Sequence, residues 1–242
     1  MNPIVQTILF LLVLLYGVFV QALVGFGGTL LSMPLGIILM GLDVTKPVMT
    51  IVAWITGIVV LATEYRCINW RELLKMTGVM LIGVVGGVLV TGKLQLNFLL
   101  IAYALVVMGI GAKKLLLPSK KDPSPAVQNT ALAIAGIMQG LFVSGGSFLA
   151  VYAVAQLKEK REFRATVNAV WAFLNLIMIV TYGFNGSLTA PVLKMAALAI
   201  IPTLVGIWLG GLLTKKVNQA TFLKVIYVVL IISGAVLLIT NL

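Results

Sequence analysis

"VGFGGTLLSMP" runs from Val24 to Pro34 and sets three glycines and a proline into a chain that is otherwise almost continuously apolar. A helix break in hydrocarbon frees N–H and C=O groups that have no water to bond, so it is tolerated only where it is buried in protein or lines a wet cavity. What this stretch means therefore turns on whether it lies in a membrane.

Composition says that it does. Of 242 residues, 61% are apolar and 10% charged, and the mean hydropathy is +1.16, outside the range of a soluble domain. A polytopic membrane protein is expected, with the lipid bilayer as its first partner. The 17 basic and 6 acidic residues leave a net charge of +11. In a soluble chain that surplus would suggest nucleic acid. Here cytoplasmic loops account for it, and no nucleic-acid partner is expected.

The single cysteine, Cys67, allows no intrachain disulfide and no thiolate cluster. With no histidine in the chain, imidazole metal sites and histidine proton relays are excluded, and no cofactor is expected. The stretch from Pro3 to Val24 lacks a basic n-region and is too long for a signal-peptide core, so it reads as the first membrane helix.

Apolar runs long enough for about 30 Å of hydrocarbon lie near 4–24, 47–63, 73–91, 97–116, 127–143, 166–183, 192–213 and 220–240. Two more, near 28–41 and 146–157, hold only about a dozen residues each and span poorly without tilt or bilayer thinning. Ten crossings with the N-terminus outside put the basic clusters at 66–75, 113–121, 158–164 and 215–216 all in the cytoplasm. If the short pieces are re-entrant, the clusters at 66–75 and 158–164 fall on opposite sides. The positive-inside rule favours ten crossings over eight spans with two re-entrant pieces.

"LPSKKDPSPA", Leu117 to Ala126, reads as a linker by its three prolines, two serines and three charges. It divides the chain into residues 1–116 and 127–242, with 117–126 cytoplasmic. The halves resemble one another. "QALVGFGGTLL" (Gln21 to Leu31) aligns with "QGLFVSGGSFL" (Gln139 to Leu149) at an offset of 118, which pairs Gln21 with Gln139, Gly27 and Gly28 with Gly145 and Gly146, and Thr29 with Ser147. The same offset pairs Lys46 with Arg164 and Thr50 with Asn168. Further on, Gly83 and Gly87 match Gly206 and Gly210 at an offset of 123. Five pieces per half is an odd number, so the second half enters the membrane upside down, giving inverted repeats of the kind that build secondary transporters. The expected fold class is all-α: a transmembrane helix bundle of two inverted repeats, each carrying a short Gly-led broken or re-entrant helix.

A helix that starts after such a break presents unpaired amides and a positive dipole end, which suit an anion. The candidate substrate-binding residues are Gln21, Gly25, Gly27, Gly28, Thr29 and Thr50 in the first repeat. Those in the second are Gln139, Ser144, Gly145, Gly146, Ser147, Asn168 and Asn175. For the diglycines the alternative is plain helix packing, which is the preferred reading for the GxxxG pairs Gly83/Gly87 and Gly206/Gly210. For the glutamines it is interhelical hydrogen bonding. Lys46 and Arg164, at helix starts, are candidates for a gating or attracting role, with snorkelling to the interface as the ordinary explanation. All six carboxylates, Asp43, Glu64, Glu72, Asp122, Glu159 and Glu162, lie in loops or at span ends, which disfavours a charged cation site.

"GFGGTLLSMP", the second "SGGSFL" and "RATVNAVWAFLNL" (Arg164 to Leu176) together resemble the sulfite exporter TauE/SafE family, also called the four-toluene sulfonate uptake permease family. The resemblance covers nearly the whole chain. It implies a bacterial inner-membrane permease for sulfite, sulfoacetate or a related small anion, described with seven or eight spans. The glycine run here is shorter than the family's frequent triple glycine, and Pro34 of the first repeat is replaced by Tyr152 in the second.

A small-anion carrier working by alternating access is thus the leading expectation, with a proton or sodium as coupling ion and self-association both left open. A non-transporting scaffold or accessory subunit and a cation permease are the alternatives. An intramembrane enzyme would need a metal, a nucleophile with its base, or paired mid-span carboxylates.

Overall fold

The computed structural model describes residues 2–90, 97–116, 124–143 and 145–241. Most of the expected linker, residues 117–123, and the candidate Ser144 lie outside the described residues. The chain forms helices α1 (Pro3–Val24), α2 (Gly28–Met40), α3 (Leu42–Glu64), α4 (Trp70–Val90), α5 (Asn97–Leu116), α6 (Pro125–Phe142), α7 (Gly146–Gln156), α8 (Lys160–Phe184), α9 (Ala190–Lys216) and α10 (Gln219–Asn241). A single 3-10 turn, Tyr65–Cys67, follows α3. Each of the ten apolar runs becomes one helix. The largest differences are at the starts of α3 and α8, which begin several residues before the apolar run: Lys160, Arg161 and Glu162 of α8 are good helix formers, and Asp43 in the first turn of α3 suits the positive end of its dipole.

The helix ends follow local chemistry. Asn2 caps α1 by accepting the Ile4 N–H at 2.9 Å, and Ser124 does the same for Val127 at the start of α6 at 3.4 Å. Each cap is followed by a proline whose missing N–H costs nothing at that position. At the other end α1 stops on Gly25 in the left-handed region, φ 90°. Among the described residues, five helical segments are long and apolar enough to cross a membrane: Pro3–Val24, Leu42–Cys67, Lys160–Phe184, Ala190–Lys216 and Gln219–Val236. Their outward faces carry large apolar side chains, with Ile4 69%, Ile201 74% and Phe184 89% exposed. A surface of this kind is stable against lipid and not against water.

The main packing partners are α1 with α9, α4 with α6, α5 with α10 and α3 with α8, while α2 lies on α1 and α3, and α7 on α6. Hydrocarbon supplies no hydrophobic drive between helices, so close backbone approach has to hold them together. Glycines provide it. A Cβ on Gly136 of α6 would sit 2.4 Å from the Met80 carbonyl oxygen of α4, and one on Gly57 of α3 would sit 2.8 Å from the Asn168 carbonyl oxygen of α8. Gly83 and Gly87 face Gly136 and Gly140, and Gly206 and Gly210 face Val18 and Ala22, so both GxxxG pairs are packing seams.

Gly136→Leu is accordingly expected to separate α4 from α6 and to abolish the monodisperse peak on size-exclusion chromatography in detergent. Gly78→Leu, on α4 but with nothing within 4 Å of a Cβ, should leave it unchanged.

Candidate functional site

The two helix breaks meet. A Cβ built on Gly146, at the start of α7, would lie 3.1 Å from Phe26 Cβ and 3.5 Å from the Gly27 nitrogen. The Thr29 hydroxyl donates to the Val143 carbonyl at 3.2 Å, bonding the start of α2 to the end of α6. The first i→i−4 bonds of the short helices are Leu31 N–H to Gly27 and Leu149 N–H to Gly145. The amides of Gly28, Thr29, Gly146 and Ser147 are therefore ahead of the helical ladder, with no partner inside their own helices.

Between the breaks lies a cavity of about 20 Å³. Seven of the candidate residues line it: Gln21, Gly27, Thr29, Gln139, Gly146, Ser147 and Asn175. Gln139 is fixed from both ends, accepting the Gly145 N–H on Oε1 at 3.2 Å and donating from Nε2 to Asn175 Oδ1 at 3.2 Å. Gln21 Nε2 donates to the Ala53 carbonyl at 3.4 Å. Ser147 is 1% exposed, and its hydroxyl has no hydrogen-bond partner. An unsatisfied buried hydroxyl costs free energy, so it marks a place where a polar guest is favoured. The lining carries no charged side chain; its polar groups are amides and hydroxyls.

The other candidates lie elsewhere. Thr50 bonds back to the Lys46 carbonyl of its own helix at 2.8 Å. Asn168 donates to the Arg164 carbonyl at 2.9 Å, and its Oδ1 is buried without a partner. Gly28 and Gly145 are packing positions, since a Cβ would come within 2.2 Å of the Gly17 carbonyl oxygen and 2.1 Å of that of Ala135, respectively. Gly25 ends α1, and its carbonyl accepts the Trp171 indole N–H at 2.8 Å. Lys46 is half-buried near the start of α3.

Arg164 is buried and donates to the Ala22 carbonyl of α1 and to Glu64 Oε1 at the end of α3. The pair tethers α8 to α1 and α3 beside the first break. On its outer side opens a groove of about 850 Å³ between the end of α3, the start of α8 and α9.

Sequence reasoning missed five lining residues, Phe26, Leu30, Ala53, Val143 and Trp171. Trp171 sits three residues after Asn168 and four before Asn175, so helical spacing put it on their face and offered a signal. Phe26, inside the quoted stretch, looked like filler. Val143 takes a left-handed conformation, φ 54°, at the end of α6. The first break uses glycines in that conformation, Gly25 and Gly27, whereas the second uses a β-branched residue, which no sequence rule would select.

Residues 9–237 match the model of the sulfite exporter TauE/SafE family. The chain belongs to that family. No curated protein and no solved structure matches it. Membership in the TauE/SafE family makes the chain an integral membrane transporter rather than an enzyme, and points to sulfite or a related anion as its cargo.

Proposed function

We propose that the chain carries sulfite or a small sulfonate across the bacterial plasma membrane, with the anion held at the paired starts of α2 and α7 and released by alternating access. The observation that carries this reading is the cavity itself: two helix starts converge on it, and the Ser147 hydroxyl beside it is buried and unbonded. Amide and hydroxyl donors on helix N-termini bind an oxyanion without a buried cation.

Residues 1–116 and 127–242 act in this reading as inverted repeats joined by a cytoplasmic linker. Exchanging the halves turns the α1–α9 contact into the α6–α4 contact and maps α3–α8 and α5–α10 onto themselves, which supports a twofold relation. So does the pairing of Gly83 with Gly136 and of Gly206 with Val18, because positions 18 and 136 are equivalent at the offset of 118. The cavity has room for about one water, so sulfite enters only when the breaks part. Such closure around a site is what alternating access between repeats requires. Arg164 and Lys46, at equivalent positions of the two repeats, gate the opposite ends of the path.

Ser147→Ala tests the site cleanly, because the hydroxyl has no hydrogen-bond partner within the protein and its removal costs no structure. A hydrogen bond to a charged group contributes about 1.5–3 kcal/mol, so sulfite affinity should fall by roughly tenfold or more. Sulfite-dependent flux in proteoliposomes gives the affinity. Unchanged half-saturation in Ser147→Ala would refute the site, and absence of sulfite flux in wild type would refute the substrate.

A further inference from the structure

The groove outside Arg164 differs in kind from the central cavity. Its volume is about 850 Å³ against about 20 Å³, far more than a small inorganic anion fills. One wall is basic: Arg66 of the 3-10 turn, Arg161 at the start of α8 and Lys215 in the last turn of α9. The one carboxylate in the lining, Glu64, already serves Arg164. Arg66 is held in place by the Tyr65 ring, 5.5 Å from its guanidinium carbon, and by a 2.8 Å bond to the Tyr65 hydroxyl. Along α9, away from Lys215, the lining is apolar. Leu204, Trp208 and Leu212 stand four residues apart, on one face of α9, and are 48%, 63% and 38% exposed. That ridge ends one turn before Lys215.

We propose that this groove binds an anionic phospholipid, with its phosphate among Arg66, Arg161 and Lys215 and an acyl chain along Leu204, Trp208 and Leu212. Both halves of the ligand are needed to explain both parts of the lining. A soluble anion satisfies the cations and leaves the apolar ridge without a role; a zwitterionic lipid covers the ridge but brings a cation of its own to the basic wall. Basic pockets between helices at the membrane boundary have the charge and position to hold anionic headgroups. Because the groove is bounded by α3, α8 and α9, an occupant joins elements of both halves of the chain and stabilises them by mass action.

The test is the thermal unfolding midpoint of the detergent-purified protein with added phosphatidylglycerol, phosphatidylcholine or glycerol 3-phosphate. Phosphatidylglycerol is expected to raise the midpoint by several degrees, with little change from the other two. The Arg161→Gln/Lys215→Gln double variant, altered only at exposed side chains, should lose that gain, and Trp208→Ala should reduce it. Native mass spectrometry should show phosphatidylglycerol retained on wild type and lost from the double variant. An equal shift with phosphatidylcholine, a full gain in the double variant, or the same gain from glycerol 3-phosphate would each overturn the proposal. The last result would make the groove a port for soluble anions.

Discussion

Gly146→Leu is expected to abolish sulfite flux in a protein that still folds. A Cβ at this position meets Phe26 Cβ at 3.1 Å and Trp171 Cζ2 at 3.5 Å, so its side-chain neighbours accommodate it by shifts of a few tenths of an ångström. The rest of the isobutyl group has only the cavity to enter, and about 20 Å³ is less than it fills. It therefore occupies the proposed anion position and holds the starts of α2 and α7 apart. The expected loss is about a hundredfold or more, the scale that misplacement by ~1 Å costs at a pre-organised site. Gly28, at the start of α2, does not permit this experiment, because a Cβ there would lie 2.2 Å from a backbone carbonyl oxygen and disrupt α1–α2 packing. Full flux from folded Gly146→Leu in proteoliposomes would show that the cavity is not on the path.

Glu64→Gln is expected to destabilise the protein by about 3 kcal/mol, the lower end of what removing one partner of a buried ion pair costs. The Arg164 side chain is 4% exposed and that of Glu64 is 22% exposed, so the guanidinium left behind is almost wholly cut off from water. Arg164→Gln should cost a similar amount, because it strands a carboxylate whose Oε2 is already buried without a partner. Combining the two, Arg164→Gln with Glu64→Gln, should cost less than the sum of the single changes, since no uncompensated charge remains. Thermal unfolding of the four proteins closes the cycle. Singles costing under 1 kcal/mol, or strictly additive effects, would mean that the pair does not latch α8 to α3 and α1.

Much of the architecture was legible in the sequence for a physical reason. Lipid requires long apolar runs and forbids unpaired backbone, so each run from Pro3 onward declared itself as a helix and each Gly-rich interruption as a deliberate break. The GxxxG pairs were read correctly as packing seams, because only glycine lets helix backbones touch. Within the candidate site the reading divided. Gln21, Thr29, Gln139, Ser147 and Asn175 reach the cavity. Gly28 and Gly145, identical in pattern to the lining glycines Gly27 and Gly146, instead serve contact with neighbouring helices. One-dimensional spacing cannot separate the two uses, since both need the same missing side chain.

The sequence alone determined that the chain is helical, membrane-bound and broken at two places, because hydropathy and backbone hydrogen bonding act along the chain and leave their mark residue by residue. The tertiary structure alone decided that the breaks meet, that Trp171 reaches across to Gly25, that Val143 adopts a left-handed turn, and that Arg164 closes on Glu64 of a distant helix. Those outcomes depend on which helix faces approach one another, and that is set by the packing of the whole bundle rather than by any local preference.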